Sequence, residues 1–114
     1  MIYIASPYSS PRKSEREDRA YQVGAFAAHC EMRGHTVYSP IAMWHGLARE
    51  HEMPGDWKFW WRHNRHMLRL SAELWVLRLD GWEDSNGVTV EIELAQHLGM
   101  TIRYFDGDNF QEVV

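Results

Sequence analysis

The sequence predicts a three-layer α/β domain, in which a parallel sheet lies between two layers of helices. Short apolar segments alternate with longer segments of helical periodicity along all 114 residues, and this alternation is typical of β-α-β units. Residues 74–79 form a nearly continuous apolar run, which favours a strand buried on both faces. Polar, turn-forming residues follow each of the first three apolar segments. Together these observations indicate a single domain, residues 1–114, with a four-stranded parallel sheet.

The expected elements follow one another in regular order. Residues 1–5 form the first strand, residues 14–33 a long helix that ends at Gly34, and residues 35–38 the second strand. Residues 41–52 form a short helix followed by an irregular segment. After a turn, Asp56 caps a helix that runs to about residue 71.

The second half of the chain begins with the apolar strand, residues 74–79. It leads into a helix that starts at Ser85 or Asn86 and ends at Gly99. Residues 101–105 form the last strand, and the short polar tail, residues 106–114, is expected to dock on a neighbouring molecule or to stay mobile.

The expected strand order is 2-1-3-4, with helices on both faces of the sheet. In this order the loops after Ala5 and Leu79 meet at the switch point between strands one and three, where open α/β sheets bind ligands. The loop after Ala5 offers hydroxyl groups from Ser6, Tyr8 and Ser9. The sequence therefore predicts a ligand cleft at this edge of the sheet.

The helix after this loop carries two features of chemical interest. Its first turn, capped by Ser85 or Asn86, has free backbone N–H groups that attract anions such as phosphate. Glu91 shares an apolar stripe with Leu94 and Ala95. A carboxylate on a core-facing stripe costs several kcal/mol unless it is paired, protonated or beside a cleft. Glu91 is therefore either a hydrogen-bonded structural residue or a functional one.

The segment from Ser85 to Glu91 has the form S-x-G-V-x-x-E. It resembles the signature of the nucleoside 2-deoxyribosyltransferase superfamily, closest to its nucleotide N-glycosidase branch. Residues 3–9, 39–41 and 80–82 also resemble motifs of a small subgroup of that superfamily. The similarity spans most of the chain, and the order and spacing of the motifs carry more weight than any single motif.

The resemblance implies that Glu91 is the nucleophile that attacks the anomeric carbon of a (deoxy)nucleoside 5′-monophosphate. Water then hydrolyses the glycosyl-enzyme ester, as in retaining glycosidases. Asp80 is the candidate for protonating the leaving base or holding the sugar. Ser85 and the amides of Asn86 and Gly87 are expected to hold the 5′-phosphate. Further substrate contacts are expected from Ser6, Tyr8, Ser9, Ser39, His45 and Trp82.

One element of the family pattern is missing. Members of the superfamily usually carry an aspartate eight residues before an acidic residue at the start of strand three, and counting back from Glu73 gives Arg65, with Asn64 beside it. Either Asp56 or Asp80 takes that role, or the protein does not follow the family's chemistry. Two alternatives therefore stay open: a deoxyribosyltransferase, in which a second base accepts the sugar, and a non-catalytic nucleotide-binding or sequestering protein.

Two other helices carry aromatic and charged residues with different expected environments. Trp57, Trp60 and Trp61 lie on one face of their helix, and such a stripe is more often core or subunit interface than a base-stacking platform. We therefore expect a homodimer or a higher homo-oligomer. On the first long helix, Arg19 has the length to reach the site loop, but it is expected instead to be a solvated partner of Glu15.

Composition and charge argue against several classes of protein, among them nucleic-acid-binding, disulfide-bonded and membrane proteins. The formal charge of −4 gives no general nucleic-acid footprint. The lone cysteine, Cys30, excludes an intramolecular disulfide and fits a reducing compartment. No apolar run has the length of a membrane span or the form of a signal peptide. The seven histidines form no recognisable zinc motif. The expected protein is cytoplasmic, without a membrane association, metal or cofactor, and acts on a small nucleotide.

Overall fold

A computed structural model describes residues 1–114, and it contains one five-stranded sheet in the order β2-β1-β3-β4-β5. The strands are β1 (Ile2–Ala5), β2 (Val37–Tyr38), β3 (Glu73–Arg78), β4 (Thr101–Asp106) and β5 (Glu112–Val113). The helices are α1 (Lys13–Met32), α2 (Pro40–Glu50), α3 (Trp57–Arg69) and α4 (Asn86–His97), and a short 3₁₀ turn, Trp82–Asp84, precedes α4.

The first four strands are parallel, so the predicted fold class and strand order are confirmed. β1 pairs with β2 on one side and with β3 on the other, and β3 pairs with β4 over six residue pairs. This arrangement places the carboxyl ends of β1 and β3 next to each other. The two loops that were predicted to form the cleft therefore lie at the same edge.

The prediction for the tail was wrong. Residues 112–113 form an antiparallel fifth strand beside β4, with Tyr104 opposite Val113 and Phe105 opposite Glu112. The backbone N–H of Asp106 also donates to the carbonyl of Gln111 at 2.9 Å. The tail thus satisfies backbone groups of β4 that would otherwise lie at an open sheet edge.

The core has two parts, one on each face of the sheet. On one face, α1 contributes Val23 and Phe26, which pack with Trp75 and Leu77 of β3. On the other face, Leu68 of α3 and residues of α4 pack on alternate residues of the same strands. That cluster consists of Tyr3, Ala5, Leu68, Leu74, Val76, Val88 and Ala95. Burial of β3 on both faces, predicted from its apolar run, is confirmed.

Two helix starts differ from their expected form. α2 begins at Pro40, because Ser39 caps it and proline is well suited to the first helical position. It continues as a helix to Glu50, so the irregular segment expected within residues 41–52 is limited to the last two of them. Asp56 stands at the N-cap of α3, but its side chain makes no capping hydrogen bond. None of the four helices has both the length and the apolar character needed to cross a membrane.

Candidate active site

A cavity of about 380 Å³ opens at the carboxyl edge of β1 and β3. Its floor is formed by the end of β1 and by α4, and its walls are formed by α2, α3 and the loop after β1. The volume lies within the range of small-molecule sites. The cavity is where the strand order placed the ligand cleft.

Eight of the eleven residues that were predicted to act on or bind the substrate line this cavity. They are Ser6, Tyr8, Ser9, His45, Ser85, Asn86, Gly87 and Glu91. They come from the loop after β1, from α2, and from the loop before α4 and α4 itself. The fold therefore brings together residues that are up to 85 positions apart, Ser6 and Glu91, in the sequence.

The other three lie elsewhere. Asp80 is exposed, and only its backbone carbonyl is contacted, by Arg19. Trp82 packs outside the cavity, where its ring lies 5.8 Å from that of Tyr104 and under the guanidinium of Arg78. Ser39 is buried, and its hydroxyl oxygen accepts the backbone N–H of Ala42 as the cap of α2. These placements do not support direct contact between the three side chains and a ligand in the cavity.

Glu91 lies at the bottom of the cavity with only 5% of its surface exposed. Its carboxylate has no cationic partner and accepts one short hydrogen bond from the hydroxyl of Tyr3, which is fully buried. Burial raises the pKa of Glu91 from 4.5 to about 8, against the smaller, opposite effect of the Tyr3 hydroxyl. Burial and the adjacent carboxylate raise the pKa of Tyr3 well above its usual value. With a pKa of about 8, the carboxyl group of Glu91 is therefore mostly protonated near neutral pH.

The N-terminus of α4 faces the same cavity. Ser85 is the N-cap, and its hydroxyl oxygen accepts the backbone N–H of Val88 at 3.2 Å. The hydroxyl hydrogen of Ser85 and the first-turn amides of Asn86 and Gly87 have no partner within the helix. Three donors at the positive end of the helix dipole suit an anion.

Asp84 also lines the cavity, just before this helix. It is the last residue of the 3₁₀ turn and is exposed. The turn begins after Gly81, whose φ of 86° suits glycine and where a side-chain Cβ would lie only 2.8 Å from the guanidinium of Arg19. Asp84, rather than Asp80, therefore brings a second carboxylate to the site.

Arg19 joins the two loops that border the site. Its guanidinium donates to the carbonyl of Ser9 at 2.9 Å and to the carbonyl of Asp80 at 3.0 Å. It also lies 3.4 Å from the carboxylate of Glu15, but its side chain is only 14% exposed. The expected ion pair is therefore present, whereas the expectation that Arg19 is solvated was wrong, because both loops pack over it.

The tryptophan stripe of α3 faces the cavity. Trp57, Trp60 and Trp61 line it together with Trp44 of α2. The rings of Trp44 and Trp60 lie 5.3 Å apart, and the indole N–H of Trp60 donates to the carbonyl of Pro54. The sequence predicted a core or an interface for these residues, because helical spacing alone does not show which face of a helix borders a cavity.

Tyr8 and His45 pair across the outer part of the cavity. The hydroxyl of Tyr8 lies 2.7 Å from Nδ1 of His45, and both residues also border a shallower groove outside it. Burial and the charge of Arg49 lower the pKa of His45, which favours the neutral imidazole. A neutral imidazole at this position can exchange a proton with a ligand or with water.

Two buried polar atoms that belong to cavity-lining residues have no hydrogen-bond partner in the protein. They are the hydroxyl oxygen of Ser6 and the carboxamide oxygen of Asn64. Asn64 lies on the same face of α3 as the tryptophans, beside the exposed Arg65. No group of three or more His, Cys, Asp or Glu side chains is arranged to hold a metal ion.

Comparison with known proteins assigns a family. The model of one family, described as a domain of unknown function (DUF1937), matches residues 1–106. The match covers nearly the whole chain, so the chain belongs to this family. No curated protein matches the chain significantly.

Proposed function

We propose that this member of the DUF1937 family is an N-glycosidase that hydrolyses a (deoxy)nucleoside 5′-monophosphate into its base and sugar phosphate. The observation that carries the proposal is Glu91. A structural carboxylate in a protein interior is normally paired with a cation or accepts several hydrogen bonds. This carboxylate has a single donor, Tyr3, and faces a cavity of nucleotide size.

Glu91, which is protonated in the free protein near neutral pH, first loses its proton to solvent. The carboxylate then attacks the anomeric carbon, and the bond between the sugar and the base breaks as the glycosyl ester forms. Positive charge develops on the sugar during this step and stabilises the carboxylate, which burial by itself disfavours. Tyr3 donates to the carboxylate oxygen and orients it. Water then attacks the anomeric carbon and gives its proton to the group that protonated the base, and Glu91 leaves as the carboxylate.

The departing base needs a proton. The family aspartate is absent from its expected position, where the chain has Arg65 and Asn64. In our proposal Asp84 replaces Asp80 as the carboxyl group that protonates the base or holds the sugar, because Asp84 lines the cavity and Asp80 does not. His45 is the second titratable group available for proton transfer.

The 5′-phosphate binds at the start of α4. The hydroxyl of Ser85 and the amides of Asn86 and Gly87 donate to its oxygens, and the helix dipole favours its charge. The transferases of the superfamily that the chain resembles place an acidic residue at the position of Ser85, where it accepts from a 5′-hydroxyl. A serine there favours a monophosphate over a nucleoside.

A panel of nucleoside 5′-monophosphates and nucleosides, followed by chromatography, tests the proposal. We expect free base and free sugar phosphate from at least one monophosphate and much slower release from its nucleoside. If base is released only when a second base is added, and the sugar moves to it, the protein is a deoxyribosyltransferase and the hydrolase proposal is wrong.

A nucleotide-binding protein without turnover is the second candidate. Asn64 favours it, because a neutral carboxamide near the position of the family aspartate cannot protonate a base. Micromolar binding of a monophosphate by calorimetry, with no base released over a day, is the result that this candidate predicts. Base release that is lost in Glu91→Gln excludes it.

A further inference from the structure

We propose that Asn64 recognises the base of the substrate. In this proposal the tryptophan-lined part of the cavity takes an adenine or a cytosine, whose exocyclic amino group donates to the carboxamide oxygen of Asn64. The inference rests on the proposed function, since it takes the leaving group to be a nucleobase. It adds the chemical class of that group and the residue that selects it.

The first support is the unpartnered oxygen. The carboxamide oxygen of Asn64 is buried and accepts no hydrogen bond from the protein, although the residue lines the cavity. Buried side-chain acceptors nearly always have a partner. A ligand that brings an N–H group to this atom supplies the partner that the protein lacks.

The second support is the surface around it. Trp57, Trp60 and Trp61 precede Asn64 on one face of α3, and Trp44 lies across from Trp60 at 5.3 Å between ring centroids. Indole rings stack on the flat face of a nucleobase, and this stacking does not depend on which base is present. A polar acceptor among aromatic walls matches a base, which has apolar faces and a polar edge.

The other unpartnered atom, the hydroxyl oxygen of Ser6, belongs to a different element, since Ser6 directly follows β1 whereas Asn64 lies on α3. The phosphate donors lie at the start of α4. Among the residues that line the cavity, Asn64 is therefore the one that combines a buried, unpartnered acceptor with a place on the tryptophan face.

Asn64 is a binding residue in this scheme. Its carboxamide accepts and donates hydrogen bonds but has no proton to give up near neutral pH. We therefore expect it to act on the affinity for different bases and to leave the recognition of the phosphate unchanged. A hydrogen bond to a neutral acceptor of this kind changes affinity by about ten-fold when it is lost.

The experiment measures binding by tryptophan fluorescence in Glu91→Gln, so that turnover does not interfere. The ligands are two pairs of 2′-deoxynucleoside 5′-monophosphates: adenine with its 6-hydrogen analogue, and cytosine with its 4-hydrogen analogue. In at least one pair we expect the amino base to bind about ten-fold more tightly than the analogue. In the double variant with Asn64→Leu, both members of that pair should bind as weakly as the analogue.

Two further variants serve as controls. Asn64→Asp keeps an oxygen acceptor and should keep the preference, and Arg65→Gln changes the exposed neighbour of Asn64 and should change nothing. Equal binding within both pairs, or a preference that survives Asn64→Leu, overturns the inference and leaves the proposed function standing. Failure of every nucleotide to bind overturns both.

Discussion

The two faces of the sheet are built differently. On the α1 face, the buried side chains are apolar, and Phe26 and Trp75 both pack against Phe105. On the α4 face, the buried layer also contains Glu91 and its hydrogen-bond donor Tyr3. One face therefore only stabilises the fold, whereas the other holds a carboxyl group whose ionisation opposes folding. That contrast separates the structural half of the core from the half that borders the candidate active site.

The largest expected effect tests whether the α4 face is catalytic. Glu91→Gln keeps the size of the side chain and its hydrogen bond with Tyr3 but removes the nucleophilic charge. We expect base release to fall by at least about ten-thousand-fold, while nucleotide binding is retained. Glu93→Gln, on the exposed side of the same helix, is the matched control and should leave the rate unchanged. Turnover at the wild-type rate by Glu91→Gln would rule out the nucleophile.

The second prediction concerns stability and pH. The pKa of Glu91 is raised in the folded protein, from 4.5 to about 8, so the folded state keeps a proton that the unfolded state releases in this interval. The contribution of Glu91 to the free energy of unfolding is therefore fully present below about pH 4.5 and is lost as the pH rises through about 8. At about 1.4 kcal/mol per pKa unit, the loss amounts to at most about 5 kcal/mol.

Urea unfolding at a series of pH values from 5 to 9 measures this effect. Because a glutamine side chain does not titrate, the Glu91→Gln variant should not share the loss, and its stability should exceed that of the wild type increasingly toward pH 9. Parallel curves for the two proteins across this range would show that Glu91 is not a buried, protonated group.

The third prediction tests the structural face. Phe26 is fully buried against Phe105 and Phe110, so Phe26→Ala leaves a cavity in the α1 layer. We expect a loss of about 3–5 kcal/mol in the free energy of unfolding. KM for a nucleotide should stay unchanged at temperatures where the variant is folded. Phe59→Ala, at a residue that is 44% exposed, should cost far less. A change in base or phosphate preference in Phe26→Ala would contradict the separation of the two faces.

The fourth prediction tests the phosphate end of the site. Ser85→Asp places a carboxylate where the phosphate is proposed to bind, and it still caps α4. The wild type should prefer monophosphates over nucleosides by about ten- to a hundred-fold in kcat/KM, and the variant should lose or reverse that preference. Asp84→Asn, which removes the neighbouring negative charge, should not weaken the preference. If the ratio of kcat/KM values for monophosphate and nucleoside is unchanged in Ser85→Asp, the phosphate pocket is ruled out and the deoxyribosyltransferase alternative is favoured.

The last prediction, with the smallest expected effect on the site, concerns the oligomeric state of the protein. The tryptophans of α3, from which the interface was predicted, line the cavity. Tyr21 and Met32 on the outer surface of α1 are 77% and 86% exposed, and apolar groups of this size are common at interfaces. We expect a homodimer or higher homo-oligomer, and light scattering at micromolar concentration should show twice the mass of 13.5 kDa or more. A monomer under these conditions would remove this expectation.

The class of fold and the position of the cleft could be predicted from local patterns in the amino-acid sequence. The apolar run of β3 and the turn residues at strand ends are local signals, and parallel topology then places the ends of β1 and β3 together. The position of Glu91 on an apolar helical stripe predicted its burial correctly, because a helix repeats every 3.6 residues. Ser85 was one of the two residues, with Asn86, that were predicted to cap α4, because both side chains can accept a backbone N–H of the first turn.

Tertiary structure decided which side chains share the cavity. Asp80 and Asp84 are near neighbours in sequence, but the 3₁₀ turn after Gly81 directs only Asp84 toward the cavity. Helical periodicity placed the tryptophans of α3 on one face, yet only the packing of α2 against α3 shows that this face borders a ligand-sized space. The pairing of the tail with β4 was equally hidden, because strand pairing depends on which edge is open, and that is a property of the assembled sheet.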